Sequence, residues 1–288
     1  MTVVDPLVEE TGTALPHLRT DRLRLRVWLP ALLFGVALLV VWEVICRAGH
    51  LPTYVLPAPS DIWTQVTANT DVIRTSAWVT TRNSLTGLVI GVIVGMVAAM
   101  LAVWIRPFDE LLSPMAAAAA AIPIVAIAPI FYGMYSATQE MPRLLTVAVI
   151  VFFPIYVSCA RGLRNISGVH ADLMRSYAVG RWAITRTVRI PAAVGYLFTG
   201  LRVAAPNAVI AEIVAEYFGG LQNGIGYRIT SAAAATNYAL AWAFVFAAIV
   251  IGLLFFLVVV LIEVVATRRL SAPRNRADSK SANTRGGS

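Results

Sequence analysis

The stretch that decides the fold is Tyr238–Val265, YALAWAFVFAAIVIGLLFFLVVVLIEVV. Its single charge, Glu263, sits near one end. A helix needs about 20 mostly apolar residues to cross a bilayer, and this run exceeds that without a polar face. Four more runs have the same character: Trp28–Cys46, Leu85–Ile105, Leu111–Tyr135 and Leu144–Ala160. Their only charge is Glu43, again near an end. A sixth run, Ala192–Phe218, is long enough although it carries Arg202, Glu212 and Glu216. Composition agrees. The 288 residues are 58% hydrophobic and 13% charged, against about 45–50% and 25% in soluble domains. The chain is therefore expected to be an all-α integral membrane protein with six transmembrane helices.

Six crossings place both ends on one side, and the arginines say which. Of the 23 basic residues only Lys280 is not arginine. Arg19, Arg22, Arg24 and Arg26 precede the first run, and Arg106 follows the second. Six arginines lie between runs four and five, and six basic residues lie in the tail. The opposite side carries Arg47, Arg74, Arg82, Arg143 and Arg228. Leaving out Arg202, the division is 17 to 5, and the richer side is cytoplasmic. Both termini are thus expected in the cytoplasm. Residues 1–27 read as a cytoplasmic segment, 28–266 as the membrane domain and 267–288 as a mobile tail. The first run lacks a small-residue cleavage site and reads as a retained span. Leu51–Ser60, LPTYVLPAPS, reads as an extended outer loop because of its prolines.

Several chemistries lack their parts. A phosphate-binding loop needs a lysine after a glycine-rich turn, and the chain's one lysine lies in the tail, so no ATP site of that kind exists here. His17, His50 and His170 all fall outside the runs, and no HExxH or GxSxG occurs, which removes intramembrane metallo- and serine proteases. No metal site or resident cofactor is expected. Cys46 and Cys159 belong to opposite faces, too far apart for a disulfide, and read as packing residues. Gly87, Gly91 and Gly95 share one helical face and suit close packing of helices.

Two features carry candidate function. The first is the segment 161–191 between runs four and five, longer than an ordinary helix connection. Ala171–Val179 reads as a short helix with Leu173 and Tyr177 on one face; Gly180 allows a break, and Arg181–Arg189 reads as a second helix bearing Trp182, Ile184 and Val188. Pro191 then marks the entry to run five. Such a pair docks a cytoplasmic partner or lies on lipid headgroups. The second feature is polar and proline residues at membrane depth. Pro123 and Pro129 are expected to kink or open run three beside protein or a water-filled cavity. Glu212 and Glu216 face either a cavity or a polar partner, and for Glu216 that partner is water or a loop amide at the outer end. Asn207 is expected to bond across helices, and Arg202 to snorkel to the inner interface.

The segment 161–191 resembles the cytoplasmic signature of the permease subunits of binding-protein-dependent ABC importers. That signature is a Glu-Ala-Ala triplet, a glycine four residues on, and an Ile-x-Leu-Pro ending. Here Asp172, Leu173 and Met174 stand for the triplet, Ala178 for the glycine, and Val188, Ile190 and Pro191 for the ending. The spacing matches; the triplet and the glycine are substituted. Further stretches resemble the branch for sulfonate, taurine, nitrate, bicarbonate or thiamine-precursor uptake. They are Trp42-Glu43 before LPTYVLPAPSDI, Ser84 with Gly87 and Gly91, Ile122-Pro123 with Pro129, Phe153-Pro154, Gly200-Leu201-Arg202, Ala215-Glu216 and Gly224-Ile225-Gly226. They run colinearly through residues 40–266.

The resemblance implies a type I importer permease in the bacterial plasma membrane. Two copies would form the pore, two ATPase subunits holding ATP and Mg would bind beneath, and an extracytoplasmic binding protein would deliver a small solute. Asp172, Leu173, Met174, Tyr177, Ala178, Gly180, Trp182, Val188, Ile190 and Pro191 would make the ATPase-coupling loop. Pro123, Pro129, Asn207, Glu212 and Glu216 are the candidates for the translocation path. The solute would be a sulfonate, taurine, nitrate or bicarbonate, or alternatively a thiamine-precursor pyrimidine or other vitamin-like compound. A secondary transporter is the competing class, but the inverted repeats frequent in that class are not seen.

Overall fold

A computed structural model describes residues 20–119, 122–135, 139–165, 176–177 and 180–270. The chain divides into two compact units, Met1–Pro52 and Thr53–Ser288. The first holds helix α1, Thr20–Ala48, which contains the expected run Trp28–Cys46. Leu32, Leu33, Phe34 and Leu38 stand exposed on it, as on a helix in lipid, and Arg47 pairs with Glu43 one turn earlier at 2.9 Å.

The second unit is a helical bundle. Its elements are α2, Pro59–Ala68; α3, Thr70–Trp104; α4, Arg106–Ala119; α5, Ile124–Met134; α6, Met141–Arg164; α7, Arg181–Ile184; α8, Ile190–Phe218; α9, Ile225–Ala234; and α10, Tyr238–Leu270. Among the described residues four helices are long and apolar enough to cross a membrane: Thr70–Trp104, Met141–Arg164, Trp182–Phe218 and Tyr238–Arg268.

Small residues set how three of these pack. A Cβ on Gly87 would meet Val147, one on Gly91 would lie 2.7 Å from the Ala148 carbonyl, and one on Gly95 would lie 3.0 Å from Ile155. Both sets of numbers climb together, so α3 and α6 run parallel with their backbones close. Gly162 abuts Ala193 and Tyr196, while Gly200 abuts Ser158, so α8 runs antiparallel to α6. Buried Ala204, Ala205, Ala208, Ala211 and Ala215 let α8 approach equally closely. Around these seams Val151, Ile155, Tyr156, Leu163 and Phe198 form the main core. A smaller core joins Val209, Ile225, Phe244 and Ile251. The outer faces of α10, with Leu253, Leu254, Leu257 and Leu261, stay exposed and suit lipid.

The structure refines four expectations. Run two begins at Thr70 rather than Leu85, because the polar residues Ser76, Thr80, Asn83 and Ser84 share the buried face of Gly87, Gly91 and Gly95. Run three, Leu111–Tyr135, is two helices. Pro123 adopts extended backbone (φ −68°, ψ 121°) and starts α5, whereas Pro129 lies within α5. Parallel α3 and α6 require the chain to travel back between them, and the α4–α5 pair makes that return. Arg181–Arg189 is not a separate helix: α7 continues into α8 through a wider π-type turn, Thr185–Arg189, closed by the Ile190 amide on the Thr185 carbonyl. Pro191 has no N–H for the Thr187 carbonyl, and the widened turn just ahead of it absorbs that mismatch. Arg202, finally, does not simply snorkel. It pairs with Glu263 of α10 at 3.2 Å. Cys46 and Cys159 are both buried, in keeping with packing. The extended loop from Leu51 ends at Ala58, with Pro59 opening α2.

Candidate functional site

At the end of the bundle formed by the start of α6 and the end of α8 lies a buried polar cluster. Arg143 and Glu212 are 0% exposed and Glu216 is 1% exposed. Glu212 and Glu216 stand one turn apart on α8 and face α3. The Thr80 hydroxyl donates to Glu216 Oε1 at 2.8 Å, and the Asn83 amide donates to Glu212 Oε1 at 3.0 Å. The Gly226 amide, in the first turn of α9, donates to Glu216 Oε2 at 2.5 Å. Among the described residues Glu212 Oε2 is buried without a hydrogen-bond partner. Gly224 and Gly226 are needed here because a Cβ at either would collide with the Glu216 side chain.

Arg143 completes the cluster from α6. Its Nη1 lies 4.0 Å from Glu216 Oε1 and donates to Asn223 Oδ1 at 3.0 Å. Nη2 donates to the Leu221 carbonyl, and Nε to the Tyr132 hydroxyl at 3.3 Å. Tyr132 in turn donates to the Gly219 carbonyl at 2.9 Å. The turn 219–223 is therefore held by side chains of α5 and α6. Sequence reading missed Arg143 because an arginine flanking an apolar run counts only as topology. Thr80 and Asn83 were missed because they precede the run, yet Ser76, Thr80, Asn83 and Gly87 already keep helical spacing.

A cavity of about 580 Å³ lies between the α4–α5 pair, α6 and α8. Its walls are mostly apolar, with Ile122, Ile127, Ile150 and Phe153, and its polar lining includes Ser113, Tyr156, Arg161, Arg164 and Asn207. Asp109 neutralises Arg164 and also accepts from Ser113 at 3.0 Å. Arg161, exposed near the end of α6, forms no ion pair among the described residues. Of the residues expected on a path, Asn207 lines this cavity and Pro123 stands at the break beside it. Pro129 lies farther along α5, and Glu212 and Glu216 belong to the polar cluster instead.

The opposite end carries the candidate coupling segment. Asp172, Leu173, Met174 and Ala178 lie outside the described residues. Tyr177 is 73% exposed and Trp182 59% exposed. Trp182 meets Trp104 of α3 edge to face at 5.7 Å between centroids. Gly180 precedes α7 and accepts the Ile184 amide at 3.2 Å, while Val188 lies within the π-type turn, Ile190 closes it and Pro191 stands in the first turn of α8. Val103, Trp104, Ile184, Thr185 and Arg189 border a small groove at this end.

Residues 91–272, more than half of the chain, match the family described as the binding-protein-dependent transport system inner membrane component. The chain belongs to that family. The permease is 28% identical over 215 residues to a probable ABC transporter permease protein of Haemophilus influenzae, covering 73% of this chain and 84% of that one. It is 33% identical to a riboflavin transport system permease protein of Chloroflexus aurantiacus, covering 63% of this chain and 70% of that one. It is also 30% identical to a putative aliphatic sulfonates transport permease protein of Escherichia coli, covering 68% and 75%. As a permease it lacks an ATPase site of its own; the ATPase is a separate subunit, and a solute-binding protein is the other partner of such a system.

Proposed function

We propose that two copies of this permease form the membrane pore of an ABC importer for a small organic anion, with an alkanesulfonate the leading candidate. In this reading each chain crosses the bacterial inner membrane six times, with both termini in the cytoplasm. Two ATPase subunits, holding ATP and Mg, bind beneath at the segment 161–191, and the binding protein docks on the face of the turn 219–224. The observation that carries the reading is the cavity, whose position between the broken third crossing, α6 and α8 suits a path and whose Arg161, without an ion pair among the described residues, suits an anion. The sulfonate relative supports the same class. A vitamin-like heterocycle is the second reading, favoured by the riboflavin relative and by Phe153 and Tyr156 in the cavity wall.

The purified permease alone is expected to hydrolyse no ATP. Reconstituted in liposomes with its ATPase and binding protein, it should take up labelled taurine or a short alkanesulfonate in an ATP-dependent way, and Arg161→Ala should reduce that uptake about tenfold, the scale of one charge-assisted contact. Uptake of riboflavin but no sulfonate would overturn the anion reading. The topology has its own check. In whole cells Gln222→Cys should react with an impermeant thiol reagent from outside, and Ala183→Cys only after permeabilisation. Reaction of both from outside would refute the six crossings.

A further inference from the structure

The break at Pro123 frees α5 from α4, leaving an 11-residue helix that carries Ile127 into the cavity wall. So short a helix is held only by what it touches. At its far end the described polar ties are those of Tyr132. Its hydroxyl donates to the Gly219 carbonyl and accepts from Arg143 Nε. Arg143 Nη1 and Nη2 donate to Asn223 and Leu221 of the same turn, so one guanidinium fastens α5 and the turn 219–223 together. The turn is itself shaped for this. Gly219 (φ 146°) and Gly220 (φ 87°) adopt backbone that other residues avoid, and a Cβ on Gly220 would lie 2.8 Å from the Tyr132 hydroxyl. Behind it Glu216 holds the start of α9 through the Gly226 amide. A fully buried arginine is costly unless its donors are satisfied. Here its hydrogen bonds go to a tyrosine and a turn, and its nearest carboxylate stands 4.0 Å off.

We infer that Tyr132 and Arg143 are positioning residues that latch the half-helix α5 to the outer turn 219–223, closing the cavity on the outer side until the binding protein engages that turn. The inference rests on the proposed path through the cavity. Displacing the turn breaks the bonds to Gly219, Leu221 and Asn223 together, and α5 swings about the break at Pro123. The latch thus has two arrangements, tied and released, and the partner biases the choice between them.

The test compares Tyr132→Phe with wild type in the assembled importer in liposomes, each carrying Ile127→Cys as a reporter. The phenyl ring keeps the packing and removes only the hydroxyl. Without ATP or binding protein, the reporter in Tyr132→Phe should react with an impermeant thiol reagent from the outer side about ten- to a hundredfold faster, the factor for the two hydrogen bonds the hydroxyl makes. Uptake per ATP hydrolysed should fall while the thermal midpoint and ATPase retention stay unchanged. Arg143→Lys keeps the charge but not the fork that reaches three acceptors, so it should accelerate labelling at least as much. Equal labelling rates in Tyr132→Phe and wild type, including no reaction in either, would overturn the latch. Protection of the reporter by saturating transported solute reports on the path independently, so path and latch can fail separately.

Discussion

Replacing Gly91 with leucine should dismantle the seam between α3 and α6 and leave little assembled permease. A Cβ at this position would already stand 2.7 Å from the Ala148 carbonyl and 2.7 Å from Val151 Cβ. The first of these is backbone of a packed helix, and it cannot rotate aside. Inserting carbon into a filled core usually costs about 1–3 kcal/mol, and a contact with backbone belongs at the top of that range or above it. The displacement would also spread. Gly87 and Gly95 abut α6 one turn to either side, so moving α3 outward opens the seam along its length and separates Thr80 and Asn83 from the carboxylates of α8. Gly252 of α10 is the control. A Cβ there meets nothing within 4 Å, so Gly252→Leu should be silent. The measurement is the monodisperse fraction and thermal midpoint of each variant in detergent. A Gly91→Leu midpoint within a degree or two of wild type would show that the helices do not pack as described.

The seam was legible because three glycines at helical spacing can be read from the sequence alone. Four of the apolar runs were legible for the same reason, as each is a long continuous signal that falls in a helix long enough to cross a membrane. What stayed hidden depended on partners distant in sequence. Thr80 and Asn83 look like loop residues until α8 supplies Glu212 and Glu216 more than a hundred positions later. Arg143 reads as one of five arginines on the outer side, counted only for topology, until the turn after α8 folds over it. The break at Pro123 was anticipated in kind, yet Pro129, with the same intrinsic preference, sits inside α5. Proline removes one donor in either case, and the surrounding packing decides whether the helix stops or bends. Likewise Arg202 finds Glu263 only because α10 returns beside α8.

Truncating Tyr177 should uncouple the ATPase from an otherwise intact permease. The ring is 73% exposed and lies at the same end of the bundle as Trp104 and Trp182. Exposed aromatic rings next to a segment of this kind are the usual anchors of a docked partner, and losing one commonly costs about 2 kcal/mol or more, which is a factor of about 30 in affinity. Trp182 cannot be read so simply, because it is shared: one edge meets Trp104 while 59% of the residue faces outward. Three variants separate the contributions. Tyr177→Ala should leave the thermal midpoint of the isolated permease unchanged and lose most of the co-purifying ATPase. Trp104→Ala removes the ring contact with Trp182, so it should lower the midpoint, and because Trp104 is itself 47% exposed it should lose no more of the ATPase than Trp182→Ala does. Trp182→Ala should do both, since it removes an anchor and the ring contact that ties α7 to α3. The readout is ATPase retained on the purified permease, with uptake measured in parallel. If Tyr177→Ala and Trp182→Ala both keep full ATPase and full uptake, this end of the bundle merely rests on lipid headgroups and the ATPase docks elsewhere.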